Sequence, residues 1–337
     1  MIYQFNIHRS VPLDGEISYE ELSQACTIPV DALTRLLRHA MLHRLFKESR
    51  SGYVAHSEAS RIFVIDPTMA SWMGHNYDEV FRSLIALPDA LRKYPAASDP
   101  GHTAAALTFN QPRGFFGGLL QDEPWRAVRF AEAMQALTRG SYDPSHLVDG
   151  YDWGKHAGGL IVDVGGSSGF QTLALAKAFP SLRFIVQDIE DHSTKLQEHL
   201  SEAGCSSSDM RMQFQIHDFF QPNPQTSADV YFLRHIIHDW ADEYAVKILR
   251  NIASVMQPNA RIVIMDTVVP ERGVLAWYTE RMISFMDLQM LVMVNGKERN
   301  KEEWDRLLSS THSKLRILNI KQPPNSIASV IEIGLID

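Results

Sequence analysis

The stretch Leu160–Glu190, LIVDVGGSSGFQTLALAKAFPSLRFIVQDIE, decides the fold of this chain. It predicts a strand over Leu160–Val164, a glycine turn, a helix over Thr172–Phe179 that a proline ends, and a second strand over Phe184–Val186. Asp188 lies two residues after Val186, at the carboxyl end of that second strand. Because ligands of an open parallel sheet bind beyond the carboxyl ends of its strands, the stretch predicts a binding site for an adenosine-type cofactor.

The glycine turn favours one kind of cofactor. Gly165, Gly166 and Gly169 let the backbone turn sharply and approach a ligand, and Asp188, roughly 20 residues further on, is placed to accept hydrogen bonds from ribose hydroxyls. The turn reads D-V-G-G-S-S-G, not the G-x-G-x-x-G that lays a pyrophosphate on a helix N-terminus. With Asp163 on the preceding strand, it suits a cofactor that has an amino-acid tail and no phosphate, as in S-adenosylmethionine (SAM).

Composition limits the classes of function. The chain has 337 residues, 45% of them hydrophobic and 21% charged, and a formal net charge of -8. Such a protein is not drawn to nucleic acid or to anionic lipid. The cysteines, Cys26 and Cys205, exclude a disulfide framework and favour a reducing compartment. With no run long enough to span a bilayer and no signal segment, we expect a cytoplasmic protein without a membrane partner.

The periodicity changes near residue 150, and we expect two domains, one over 1–145 and one over 146–337. The first is mostly helical, and the second alternates strands with helices. Aromatic residues scattered over 66–145 either roof a pocket or fill a core.

The start of the first domain predicts a winged helix over 16–64. Ser18 caps one helix, Asp31 opens the next, and Arg50–Tyr53 forms a hairpin turn. Such modules often bind DNA, but the acidic balance and the dispersed basic residues favour a module used for dimerisation.

Two further strand ends add candidate ligand contacts. Met212–Ile216 predicts a strand followed by Asp218 and Phe219, which suit the exocyclic amine and the ring face of adenine. A strand over Asp229–Leu233 then runs into RHIIHDW at 234–240. Its first residue, Arg234, is a candidate cofactor contact, and His238 is expected just past the sheet, near the cofactor.

Several segments resemble the plant-and-fungal-type O-methyltransferases, most of all their fungal secondary-metabolism branch. They are VDVGGSSG, FIVQDIE, HDFF, ADVYFLRHIIHDWADEYAVKILR, ARIVIMDTVVPE and NGKERN. The resemblance covers the chain from about Gly15 to its end. It implies an α/β fold, with a Rossmann-like class I methyltransferase domain after a winged-helix dimerisation domain. It also implies SAM as the methyl donor, S-adenosylhomocysteine as its product, and no metal.

The resemblance assigns the catalytic base to His238, with flanking acids at Asp266 and Glu298. Phenol has a pKa of about 10 and imidazole one of about 6.5. A positioned neutral histidine therefore takes the proton as the oxygen attacks the sulfonium methyl, and a carboxylate stabilises the resulting imidazolium. Each residue also has a plainer interpretation: His238 as a polar residue at a helix start that Asp239 caps, and the two acids as solvated surface groups.

The acceptor pocket has candidates as well. Met282, Met286, Met290 and Met293 recur at helical spacing, a stripe that is normally core. The same helix lines the acceptor pocket in the resembling family, so Met286 and Met290, with Asp239, are the pocket candidates. Family members carry some tens of residues more before the winged helix, in helices that interlock two subunits. The resemblance implies a homodimer, and we expect the interlocking N-terminal segment to be shortened in this chain.

Other functions stay open at this point. The pair His235 and His238 suggests a metal site on a helix face, but no third ligand is evident, so we predict no metal. Some relatives hold SAM and catalyse cyclisation or pericyclic steps, and a non-catalytic binding role is a further alternative. The set of His238, Asp266 and Glu298 favours methyl transfer to a phenolic hydroxyl of an aromatic secondary metabolite.

Overall fold

The structure, a computed structural model, describes residues 1–137, 142–204 and 211–336. Cys205 lies outside these ranges. The chain divides into two compact units, Met1–Ile85 with Phe116–Leu137, and Ala86–Phe115 with Thr138–Asp337. Residues 86–115 therefore group with the second unit. Within the described ranges, no helix is both long and apolar enough to cross a membrane.

The first unit begins with the predicted winged helix. Ser18 caps its helix through a capping box with Glu21, as the sequence predicts, whereas the next helix begins at Val30, one residue before Asp31. Three antiparallel strands pair in the order β1-β3-β2. The elements are α1 (Ile7–Ser10), β1 (Ile17–Ser18), α2 (Tyr19–Cys26), α3 (Val30–Leu42), β2 (Lys47–Arg50) and β3 (Tyr53–Ala55).

The rest of the first unit is helical and contains a buried ionic network. Glu79 accepts hydrogen bonds from Arg126 and Arg129, and its carboxylate also lies 3.0 Å from Nδ1 of His75. Because an unpaired buried charge is costly, the network favours the arrangement in which the helices that carry these residues stay packed together. These elements are α4 (Glu58–Ile65), α5 (Pro67–Gly74), a π-helix (His75–Val80), α6 (Phe81–Lys93, which enters the second unit), a π-helix (Phe115–Leu119), α8 (Leu120–Asp122) and α9 (Pro124–Leu137).

The second unit is the predicted α/β domain, built on one seven-stranded sheet in the order β11-β12-β8-β7-β4-β5-β6. The strands are β4 (Leu160–Val164), β5 (Arg183–Asp188), β6 (Met212–Ile216), β7 (Val230–Arg234), β8 (Arg261–Asp266), β11 (Leu315–Lys321) and β12 (Ser329–Leu335). A separate parallel pair is formed by β9 (Val268–Val269) and β10 (Arg299–Asn300). The helices are α7 (Ala104–Phe109), α10 (Pro144–Gly150), α11 (Phe170–Ala178), α12 (Ser193–Glu202), α13 (Asp242–Ala253), α14 (Trp277–Val294) and α15 (Lys301–Thr311), with 3-10 turns at Trp153–His156 and Ile237–Asp239.

The strand order fixes where a ligand binds. From β4 the chain continues through β5 and β6 to one side, and then returns to add β7 and β8 on the other. The strands from β8 to β6 are parallel, and β11 and β12 are antiparallel. The order therefore reverses between β4 and β7, and the crevice beyond the carboxyl ends of such strands is the usual ligand site.

Candidate active site

The glycine loop and Asp188 lie side by side at the ends of β4 and β5. Gly165 and Gly169 have φ angles of 77° and 72°, in the left-handed region that favours glycine. The Asp188 carboxylate accepts the backbone N–H of Ser167 at 2.9 Å and that of Ile189 at 2.8 Å. Because a carboxylate oxygen has more than one lone pair, both oxygens retain capacity for ligand hydroxyls.

Asp163 supports the glycine loop from within the protein. It is buried, and its carboxylate accepts the hydroxyl of Thr172. Burial raises the pKa of Asp163 to about 6, and the bond from Thr172 acts in the opposite direction. A Cβ on Gly166 would lie 2.3 Å from the Asp163 carboxylate, so only glycine fits this point of the loop.

Arg234 ends β7 with one of its donors unused. Its Nη2 donates to the backbone oxygen of Tyr142 at 3.1 Å, while its buried Nε has no hydrogen-bond partner among the described residues. Burial lowers the pKa of Arg234 to about 10, against the charges of Asp163 and Asp266. A guanidinium with a free buried N–H is suited to an anionic ligand group, such as the carboxylate of an amino-acid tail.

Phe219 lies next to the glycine loop, as its predicted contact with adenine requires. Its ring is 3.7 Å from the position of a Cβ on Gly165 and meets Trp240 edge to face at 5.8 Å. The preceding Asp218 accepts the backbone N–H of Phe220 at 2.9 Å. This segment is held to the end of β5, because the His217 N–H donates to the Asp188 carbonyl oxygen at 2.8 Å.

The three predicted catalytic residues meet in one buried cluster. Nδ1 of His238 lies 2.8 Å from Oε1 of Glu298, and the His238 backbone N–H donates to Oδ2 of Asp266 at 3.2 Å. Nε2 of His238 is 3.6 Å from Oδ1 of Asp239. The side chains of His238 and Glu298 are almost fully buried, and Asp266 is 0% exposed. The interpretation of these acids as solvated surface groups is therefore wrong.

The cluster is assembled by the pairing of β9 with β10. Val268, two residues after Asp266, pairs with Arg299, the residue after Glu298, and this pairing brings the two acids close together. The Lys297 N–H donates to the His238 carbonyl oxygen at 2.9 Å. A Cβ on Gly296 would lie 2.1 Å from that oxygen, so glycine is required for this approach.

Arg299 is a site residue that the sequence analysis did not identify. It is 1% exposed and donates to the carbonyl oxygens of Ile237 at 3.0 Å and Trp240 at 2.7 Å. It also donates twice to Oδ1 of Asp242, at 3.0 and 2.8 Å. The guanidinium therefore fixes both ends of the turn that carries His238.

The electrostatics of the cluster favour positive charge. Burial alone would lower the pKa of His238, but the charges of Glu298 and Asp239 outweigh it and raise that pKa to about 10. Burial raises the pKa of Asp239 to about 7 and that of Asp266 to about 6, against the charge of His238. The cluster therefore favours the protonated form of His238, and it also favours the neutral forms of Asp239 and Asp266.

The predicted methionines lie on α14, which contacts the His238 turn. Met286 and Met290 are both buried. Between them, Asp287 accepts the backbone N–H of Glu298 at 2.9 Å, and it therefore also positions the acid beside His238.

His235 differs from its prediction. It does not share a helix face with His238, because it lies between β7 and the 3-10 turn with a φ of 53°. Its ring is 5.3 Å from that of His238 and meets the ring of Tyr142 edge to face at 4.8 Å. Donor atoms of His235, His238 and Asp266 lie within 4.8 Å of one another, so Asp266 is a potential third ligand that the sequence did not make evident.

A doubly wound sheet, a glycine loop after its first strand and an acid at the end of the second define a class I SAM-dependent methyltransferase. The residues present fit SAM: Asp188 has lone pairs for the ribose, and the unpartnered Nε of Arg234 suits the carboxylate of the tail.

The chain belongs to the O-methyltransferase family, whose O-methyltransferase domain matches residues 121–312. It is 38% identical to the O-methyltransferase aunD of Aspergillus niger, over 98% of this chain and 79% of that protein. It is 35% identical to the chlorophenol O-methyltransferase of Trichoderma longibrachiatum, over 98% of this chain and 72% of that one. The protein is therefore a SAM-dependent O-methyltransferase.

Solved structures with a similar fold include an O-methyltransferase and an enzyme of a different activity. The mitomycin 7-O-methyltransferase MmcR is 26% identical, with a TM-score of 0.81 over 99% of this chain and 94% of that one. A structure described as a pericyclic reaction enzyme is also 26% identical, with a TM-score of 0.77 over 99% of this chain and 86% of that one.

Proposed function

We propose that this O-methyltransferase methylates a phenolic hydroxyl of an aromatic secondary metabolite, with His238 as the general base. The observation that carries the proposal is the buried 2.8 Å contact between Nδ1 of His238 and Oε1 of Glu298. A base held at one ring nitrogen by a carboxylate presents its other nitrogen in a fixed direction.

Proton transfer then follows from the tautomer. When Nδ1–H donates to Glu298, Nε2 carries the lone pair and accepts the proton of the acceptor hydroxyl. The imidazolium that forms is stabilised by Glu298 at Nδ1, and Asp266 holds the backbone of the same residue. Exclusion of water from this buried cluster strengthens these interactions.

The base must be neutral before it can act. SAM supplies an electrophilic methyl group on a sulfonium cation, and a second positive charge near the cluster disfavours the imidazolium. Because the pKa of His238 without cofactor is about 10, methyl transfer should be slow in acid and rise with pH into the alkaline range.

We assign cofactor binding to the strand ends of the second unit. Asp188 would accept the ribose hydroxyls, Asp218 and Phe219 would contact the adenine, and Arg234 would hold the carboxylate of the tail. Gly165, Gly166 and Gly169 would allow close approach of the backbone, with Asp163 acting through the loop that it supports.

We assign the acceptor pocket to α14 and the His238 turn. Met286 and Met290 offer polarisable thioethers for a flat aromatic ring. Asp239, 3.6 Å from Nε2 of His238, would contact the acceptor near its hydroxyl.

We also infer a homodimer formed through the N-terminal domain. What supports it is an apolar stripe on the first unit: Tyr77, Phe81 and Ile85 recur at four-residue intervals and are 62%, 43% and 82% exposed. Contiguous apolar surface of this kind marks protein interfaces. Sedimentation at several protein concentrations, with Phe81→Asp as the variant, tests the assignment, and an unchanged mass would overturn it.

Mass spectrometry with methyl-deuterated SAM and a panel of phenols, a chlorophenol among them, tests the proposed reaction. We expect a product heavier by one labelled methyl group and an equal amount of S-adenosylhomocysteine. An isomerised but unlabelled product would instead favour a pericyclic reaction, the activity described for one similar structure. His238→Ala, which removes the base, should abolish labelling and retain SAM binding.

A further inference from the structure

Two histidines and one aspartate converge at the ends of two neighbouring strands. β7 pairs with β8 so that Arg234 lies opposite Met265, and His235 and Asp266 follow these residues directly. Nδ1 of His235 is 3.9 Å from Oδ1 of Asp266. The turn after β7 then brings His238 to the same point, and donor atoms of all three lie within 4.8 Å of one another.

We infer that His235, His238 and Asp266 form a site for a divalent cation of the zinc type, and that the bound ion inhibits methyl transfer. Two imidazoles and one carboxylate, with a fourth position left for water, are the ligand set that Zn²⁺ and Co²⁺ accept in proteins. Bonds of about 2.0–2.2 Å require the donors to lie closer than 4.8 Å, so the side chains close in by on the order of 1 Å.

A second observation points to a ligand at the same place. Oδ1 of Asp266 is buried and has no hydrogen-bond partner among the described residues, although such an atom normally has one. Asp266 as a whole is 0% exposed, so bulk water does not reach this oxygen. A cation between the strand ends would satisfy it.

The surroundings also match a metal centre. A histidine that binds a metal usually has its other ring nitrogen bonded to a carboxylate, and Glu298 has this relation to His238 at 2.8 Å. Asp239 adds negative charge nearby, while Arg234 is the opposing cation. The ring of Tyr142 packs edge to face on His235 and limits its rotation.

The ion is not a cofactor in this proposal. It binds through an electron pair of His238, the residue that we propose as the base, so occupied enzyme lacks the free base. The expected inhibition therefore rests on the proposed function, whereas binding of the ion does not. The two are separated by measuring binding directly.

The test uses protein without a histidine tag. Titration with Co²⁺ followed by visible absorption, and with Zn²⁺ by calorimetry, should give one site per chain in which each ion displaces the other. Zn²⁺ should inhibit methyl transfer with the same midpoint, and EDTA should restore the rate. The absence of a stoichiometric site would overturn the proposal.

Variants locate the site. His235→Phe removes a ligand and retains an aromatic ring, and His235→Asn suits the left-handed backbone at this position. Each variant should weaken Zn²⁺ binding and Zn²⁺ inhibition at least tenfold. The rate of methyl transfer measured in the presence of EDTA should be largely retained. His39→Gln is the control, because it alters an exposed histidine pair on the other unit, His39 and His43, whose rings lie 4.9 Å apart. It should change neither the Zn²⁺ binding nor the Zn²⁺ inhibition. Binding lost only in the control would place the ion on that surface and overturn the proposal.

Discussion

Glu298→Gln tests the carboxylate beside His238 with almost no change of shape. The amide can still meet Nδ1 of His238, which lies 2.8 Å from the present Oε1, but it carries no charge. Two unit charges about 4 Å apart at an effective dielectric constant of about 20 interact by about 4 kcal/mol. Loss of that interaction lowers the pKa of His238 by about 3 pH units from its value of about 10.

The rate should change in two ways. If the imidazolium charge is about half formed in the transition state, the variant loses about 2 kcal/mol of stabilisation, and kcat on the alkaline plateau falls about 30-fold. The acid limb of the pH profile should move to lower pH, because a base with a lower pKa is neutral at lower pH. The difference between the two enzymes therefore narrows as the pH falls.

The assay is the initial rate of S-adenosylhomocysteine formation between about pH 6 and about 11, with the plateau kcat obtained by fitting the pH profile and the SAM affinity measured by calorimetry on each variant. Glu302, an exposed carboxylate on α15, provides the matched control: Glu302→Gln should leave the pH profile and the SAM affinity unchanged. A plateau within about 3-fold of the native rate, or an acid limb that does not move, would refute the role assigned to Glu298.

Four other changes have distinct expected results. Asp188→Ala should weaken SAM binding about 30- to 100-fold in calorimetry, because ribose contacts and the bond to the loop are lost together. Gly296→Ala should lower kcat about 100-fold by displacing the His238 turn, with SAM affinity retained. Arg299→Met should lower the free energy of unfolding in urea by about 1–3 kcal/mol, since the carbonyl oxygens of Ile237 and Trp240 lose their donor, whereas Asp242 is exposed. Dialysis against EDTA should not lower the rate of methyl transfer, because the proposed reaction uses no metal.

Three of these results have a clear contrary outcome. Gly117→Ala, where a Cβ meets nothing within 4 Å, is the control for Gly296→Ala, and equal effects of the two would remove the steric argument. SAM affinity unaffected by Asp188→Ala would exclude the ribose contact. Loss of activity on EDTA treatment that Zn²⁺ restores would show a metal enzyme.

The periodic part of the fold is readable from the sequence, because each strand of a parallel sheet is a short apolar run that ends at a polar residue. Leu160–Val164 and Met212–Ile216 are strands with the predicted bounds. The predicted helix over Thr172–Phe179 instead spans Phe170–Ala178, because Gly169 already adopts the left-handed conformation that starts it. The winged helix has its predicted cap at Ser18.

The site is only partly readable, because several of its contacts join distant segments. Arg299 bonds to residues 57 to 62 positions away, and nothing near it in the sequence signals that its side chain is buried. Asp266, the third potential ligand beside the two histidines, follows His238 by 28 positions. The resemblance to the family identified His238, Asp266 and Glu298 as a set. Local pattern alone left His238 as a polar residue at a helix start and the two acids as surface groups.

The bonds of Arg299 also bear on how this enzyme accommodates different acceptors. A turn held at Ile237, Trp240 and Asp242 by one buried guanidinium cannot open by itself, so its amide hydrogens should exchange with solvent only when the whole α/β unit unfolds. We therefore expect His238, the proposed base, to keep its position during turnover. Acceptors must adjust to it, and new substrates will be gained by reshaping α14 and the surrounding walls while the position of the proton acceptor stays constant.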